Sequence, residues 1–208
     1  MVKKYLSFKN FLLLLISMTA VGVAIFNLHD FDFLPGAKAG NHKLERLFRD
    51  MDVLQVPRMT APIESRLKDV DGNEVGFSDF RGKIVFLNFW TTWCPTCLIE
   101  MPSMEKLHQK FKDEDFVMVS INLQEPALQV KKFFEEFKLT FTALLDSTAE
   151  VAIFFGINAI PATFILDREG SVIGKALGPR EWDSRKSIRL FEHLMDESVA
   201  ASTPGSEQ

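Results

Sequence analysis

The stretch from Lys83 to Glu100, KIVFLNFW followed by TTWCPTC and LIE, constrains this chain more than any other. Ile84 to Trp90 is a short run dominated by β-branched and aromatic residues, which reads as a buried strand. A turn follows at Thr91-Thr92, and then the only two cysteines of the chain, Cys94 and Cys97. Downstream, Leu98, Met101, Met104, Leu107 and Phe111 recur at helical spacing, so Cys94 falls at a helix start. Pro95 suits the first helical position, where its missing N–H costs no bond. A helix N-terminus carries unpaired N–H groups and a partial positive charge. Both stabilise a thiolate at Cys94. Cys97, one turn on, is within reach of a mixed disulfide formed at Cys94 and can resolve it. The pattern predicts a redox dithiol with Cys94 facing outward and Cys97 shielded.

Other uses of two cysteines fit less well. A structural zinc site needs about four ligands, and His29, His42, His108 and His193 are scattered. Covalent haem needs C-x-x-C-H, where this chain has Leu98. Two soft thiolates suit Cu(I), so a copper-delivery thiol module is an alternative, although the motif loop offers no third ligand. A redox-inert adaptor with a structural disulfide is another. The expectation is a protein without metal or cofactor. With 24 basic against 28 acidic residues, nucleic acid is not an expected partner.

The N-terminus carries Lys3, Lys4 and Lys9, then Phe11 to Leu28 without a charge. That length is short for a bilayer span and long for a signal h-region. Ala37-Lys38-Ala39 has the form of a cleavage site but lies too far downstream, and no cysteine is nearby to take a lipid. We read residues 1–28 as an uncleaved anchor in preference to a cleaved signal. The lysines then place the remainder on the periplasmic or extracytoplasmic side. The exported part holds 21 basic residues (24 less those three) against 28 acidic ones, which favours solubility above an anionic membrane.

Residues 29–59 read as a juxtamembrane linker. Pro35-Gly36 suggests an irregular turn, and Leu44, Leu47, Phe48, Met51 and Leu54 form the stripe of a short amphipathic helix ending before Pro57. We read it as a spacer with a packed face in preference to a helix docked on the domain or lying on the membrane. The globular domain is expected over 60–197, opening with a β-hairpin around Asp71-Gly72. A second buried strand covers Phe116 to Leu123. A helix opens at Glu125-Pro126, a short strand spans Phe141 to Leu145, and a short helix over Ser147 to Phe155 ends at Gly156. A hairpin, Ala162 to Leu166 with Ser171 to Leu177, precedes a last helix from Trp182 to Glu197. Residues 198–208 are small and polar, the composition of a disordered tail. This order predicts an α/β fold, a central mixed sheet flanked by helices.

W-C-x-x-C after a buried strand, followed by Ile160-Pro161-Ala162-Thr163-Phe164, resembles the thioredoxin fold. The fuller pattern DGNEVGFSDFRGKIVFLNFWTTWCPTCLIEMPSME is similar to the extracytoplasmic TlpA/ResA/DsbE branch, over roughly Pro62 to Met195. The resemblance implies a membrane-anchored thiol-disulfide oxidoreductase that reduces protein disulfides. Cys94 would be the nucleophile and Cys97 the resolving thiol. Ile160-Pro161 would be a cis peptide facing the dithiol, its backbone free to pair with an extended substrate. Trp93, Pro95, Thr96, Ile160 and Pro161 would be the substrate-facing residues. Implied partners are a disulfide-bearing exported protein and a membrane electron donor. Where thioredoxin buries an aspartate in the strand, this chain has Asn88, which cannot take a proton. Glu100 matches the acidic position of the branch, where burial would raise its pKa and suit it to shuttle the proton of Cys97. The alternative for Glu100 is a solvated acid on the helix face. CPTC is the motif of DsbE-type reductases that keep apocytochrome c reduced for cytochrome c maturation. Ala159 and Ala162, however, replace the glycine and glutamate of that pattern, favouring a broader reductase.

Overall fold

The computed structural model describes residues 35–62 and 64–202, and side chains over 42–57, 59–62 and 64–196. The chain divides into residues 1–40, of which only 35–40 are described, and a compact unit from Asn41 onward. The elements are α1 (Pro35–Asp50), β1 (Leu54–Thr60), β2 (Arg66–Asp69), β3 (Glu74–Gly76), a 3-10 turn (Phe77–Phe80), β4 (Ile84–Trp90), α2 (Pro95–Phe111), β5 (Phe116–Leu123), α3 (Ala127–Phe137), β6 (Thr142–Asp146), α4 (Glu150–Phe154), β7 (Ala162–Leu166), β8 (Ser171–Leu177) and α5 (Arg185–Ser202). One mixed eight-stranded sheet runs in the order β1-β8-β7-β4-β5-β6-β2-β3. β4, β5 and β6 are parallel, and β7 runs antiparallel to β4.

β4 is buried along its whole length because both faces of the sheet are covered. Its side chains alternate between two cores. Ile84, Phe86 and Trp90 pack with residues from α1, α2, α3 and α5, while Val85, Leu87 and Phe89 pack with α4 and the 3-10 turn. Asn88 belongs to the first set by register, so its amide faces α2. The parallel steps β4-α2-β5 and β5-α3-β6 account for α2 and α3 lying on one face, since right-handed crossovers put both connections on the same side.

The expected linker belongs to the sheet. Leu54–Thr60 forms β1, antiparallel to β8 at the sheet edge. Pro57 is tolerated because an edge strand can spare one N–H, and the register is irregular between Gln55 and Met59. The amphipathic helix begins at Pro35, where an irregular turn was expected, and ends at Asp50. Phe48 and Met51 are buried in the first core, whereas Leu54, counted in the helical stripe, lies exposed on β1. The globular unit therefore includes residues before the expected boundary at 60. At the other end, α5 starts at Arg185, with Ser184 Oγ accepting the Ser187 N–H, and its backbone continues to Ser202. Residues 198–202 of the expected tail are thus helical.

The β2–β3 hairpin forms around Gly72 with φ of +90°. Its turn is one residue longer than a two-residue Asp-Gly loop, because Asp69 still pairs with Asn73 and its carboxylate accepts the Asp71 and Asn73 N–H groups. The proposed anchor, residues 1–28, lies outside the described residues. Among the described residues no helix is long and apolar enough to cross a membrane.

Candidate active site

The carboxyl end of β4 delivers Thr91, Thr92 and Trp93 to the start of α2. Cys94 is the N-cap of α2 and Pro95 its first residue. Cys94 and Cys97 are joined as a disulfide, with Cα atoms 5.3 Å apart. Cys94 Sγ accepts the Cys97 N–H at 3.2 Å and lies 3.4 Å from Thr96 Oγ1. Both cysteines are buried, at 4% and 0% exposure. Cys94 is thus less open than an outward-facing thiol, since in the disulfide its sulfur turns back over the first helical turn. Trp93 is 69% exposed, and Pro95 and Thr96 also face solvent.

The register of β7 on β4 pairs Phe89 with Ala162. Ile160 and Pro161 therefore emerge beside the end of β4, and the bond between them is cis. Pro161 is buried and Ile160 half-buried. An open groove of about 290 Å³ runs between Trp93 and Ile160, floored by Thr91, Leu123 and Gln124. The sheet topology thus brings the motif loop and the Ile160-Pro161 loop to one end, as expected where strand carboxyl ends line a crevice.

Glu100 is fully buried, in contrast to a solvated helix-face acid. It lies three residues after Cys97 in α2, a spacing that puts two side chains on one helix face. Asn88 Nδ2 donates to Glu100 Oε1 at 2.9 Å and to Thr163 Oγ1 at 3.0 Å. Trp182 Nε1 and the Arg180 backbone N–H donate to Oε2, at 2.9 and 3.3 Å. Burial pushes the Glu100 carboxyl from an ordinary 4.5 up to about 7. The hydrogen bonds from Trp182, Asn88 and Arg180, with the Arg180 charge, act in the lowering direction without offsetting it. A carboxyl poised there can take and return a proton near neutral pH.

A second buried carboxylate, Glu125, escaped the sequence reading. It accepts the Thr92 N–H at 2.7 Å, the Thr92 hydroxyl at 2.6 Å, Asn122 Nδ2 at 2.6 Å and Gln129 Nε2 at 2.7 Å. It ties the loop before Trp93 to the end of β5 and the start of α3. In the sequence it reads as an acid opening a helix. Thr163, Arg180 and Trp182 also went unseen, being brought to Asn88 and Glu100 only by pairing at separations of about 75 to 82 residues. Among the described residues no three His, Cys, Asp or Glu side chains cluster as metal ligands.

A mixed sheet whose central strand feeds a C-x-x-C helix start, beside a cis-proline loop, defines a thioredoxin-like fold with a dithiol site. The Redoxin family profile matches residues 55–189. The chain belongs to that family, in its TlpA/ResA/DsbE-like branch. It is similar to the thiol-disulfide oxidoreductase ResA of Geobacillus thermodenitrificans, 42% identical over 113 residues, which cover 54% of this chain and 64% of that relative. It is also similar to ResA of Bacillus cereus, 31% identical over 131 residues, covering 63% of this chain and 75% of that one. The chain spans just under two thirds of the first relative's length. Among solved structures, a putative thiol:disulfide interchange protein DsbE from Chlorobium tepidum superposes with a TM-score of 0.54 at 26% identity, covering 71% of this chain and 94% of that one.

Proposed function

We propose that this protein is an extracytoplasmic thiol-disulfide oxidoreductase that reduces disulfides of exported proteins through Cys94 and Cys97. The observation that carries the reading is the buried Glu100 carboxyl, one helical turn beyond Cys97, with a pKa of about 7. In the reducing direction, the Cys94 thiolate attacks one sulfur of the substrate disulfide and expels the first substrate thiolate. Cys97 then passes its proton to the Glu100 carboxylate and attacks Cys94 Sγ. That step forms the Cys94–Cys97 disulfide and releases the second substrate thiolate; two electrons have moved from the pair to the substrate. The groove between Trp93 and Ile160 takes the substrate chain in extended form, and Pro95, Thr96 and Pro161 complete the substrate-facing set.

Exported compartments are oxidising, so a reductase there must be recharged by a membrane donor. The Phe11 to Leu28 run, preceded by lysines, supplies an anchor that keeps it beside one. Cytochrome c maturation is one such use, and CPTC is the supporting feature. The test is the equilibrium potential of Cys94–Cys97 against dithiothreitol, with reduction of a disulfide peptide alongside. A value toward the roughly −270 mV of thioredoxin, with turnover, is expected. A value near the roughly −120 mV of DsbA would make the protein an oxidant.

A further inference from the structure

The turn between β8 and α5 reaches across to the buried face of α2 and is fastened there at several points. Trp182 is fully buried, with its ring edge-on to Phe86 at a centroid distance of 4.7 Å. Its backbone N–H donates to Ser103 Oγ at 3.0 Å, and Ser103 Oγ lies 2.7 Å from the Glu100 carbonyl. Arg180 fixes the other end of the turn. Its guanidinium donates to the carbonyls of Met51 and Asp52, just beyond α1, at 2.9 and 2.6 Å. It also donates to Leu177 and Gly178, both at 2.8 Å.

We propose that Trp182 is a positioning residue for the Glu100 carboxyl, held in place by the Arg180 clamp, and that its indole N–H favours the ionised form that accepts the Cys97 proton. The role assigned to that proton rests on the function proposed above. The indole nitrogen is a donor only, so its bond is strong to a carboxylate and is weakened when the carboxyl is neutral. Oε2 already takes two donors, the indole and the Arg180 N–H, whereas Oε1 takes Asn88 alone. Oε1 therefore keeps the open lone pair, and an arriving proton sits there. Other groups facing the carboxyl act in the same direction. Asn88 Nδ2 from β4 donates to Oε1, the Arg180 N–H donates to Oε2, and the Arg180 charge adds to both, with the Trp182 indole the largest of these. Cys97 on α2 is the proton's source, and the Arg180 guanidinium itself is occupied by four carbonyls, so the indole's share is read by removing its N–H alone.

The experiment follows the side-chain carboxyl carbon of Glu100 by NMR against pH, in the full oxidised chain, with Glu100→Gln assigning the signal. At position 182, benzothienylalanine replaces the indole N–H by sulfur and keeps the ring shape, so the core stays filled. Trp182→Phe is the genetically simple companion, with a denaturant melt to separate packing loss. The Glu100 midpoint is expected to rise by about one to two pH units in the benzothienyl protein, the loss of one hydrogen bond to a charged group. An unchanged midpoint in the benzothienyl protein, even if Trp182→Phe is less stable, overturns the proposal and leaves Trp182 as packing alone. The same proteins separate the underlying reading. If the NMR midpoint rises while the pH profile of mixed-disulfide resolution stays fixed, the positioning stands and Glu100 is not the proton acceptor.

Discussion

Glu100 shows how much one buried side chain can decide. Its carboxyl is raised in the folded protein to about 7 from an ordinary 4.5. The folded state therefore holds the proton more tightly than the unfolded chain. That contribution to stability is complete below about pH 4.5 and is lost as pH rises through about 7. The sign follows from linkage, since stability falls with pH wherever the native state binds more protons. Denaturant melts at pH 5 and pH 8 should differ by up to about 3 kcal/mol from this group, and Glu100→Gln should remove that part of the difference. Glu125 predicts a second effect. Glu125→Ala leaves the Thr92 N–H and the Asn122 amide without their acceptor, an expected loss of about 2–4 kcal/mol in a urea melt, with slower turnover because the loop before Trp93 is released. Of these two acids the sequence reveals only one. Glu100 is legible by its spacing from Cys97 and by family pattern. Glu125 is not, because its donors come from a loop, a strand and a helix that only the fold brings together.

Among the elements, periodicity exposed those whose pattern is local and missed those whose role depends on a distant partner. β4, β5, α2, α3 and the β7–β8 hairpin carry their period in their own residues. β1 does not, because Pro57 argues against a strand until the edge position and irregular register are known. The apolar stripe of α1 predicts a packed face but not what it packs on, and Phe48 of that stripe lies in the core against β8. A Cβ on Gly174 would stand 2.9 Å from Val53 Cγ1 and 3.2 Å from the Phe48 ring. Gly174→Ala is accordingly expected to destabilise by about 1–3 kcal/mol through overpacking. Phe48→Ala should cost about 3–5 kcal/mol as a cavity. If α1 were a mere spacer, both melts would match the parent, and Phe48→Ala would change nothing beyond local helicity.

At the scale of the molecule, the sheet order gathers the chemistry at one end. The exit of β4 carries the dithiol, the entry to β7 carries Ile160-Pro161, and the turn after β8 carries Trp182 onto Glu100. Together these set a buried carboxyl one helical turn beyond the second cysteine of the dithiol, which the proposed function uses as the proton acceptor. The most direct test is the pH dependence of mixed-disulfide resolution. Reduced protein is mixed with a disulfide peptide in a stopped-flow instrument, and release of the first and second peptide thiols is followed separately from about pH 6 to 9. First-thiol release, the attack by Cys94, should be nearly the same in the parent and in Glu100→Gln. Second-thiol release should follow a midpoint near 7 in the parent. In Glu100→Gln it should be slower by about 10²-fold near neutral pH, the scale of a lost general base. Equal second-thiol rates and profiles in the two proteins across that range would contradict the account.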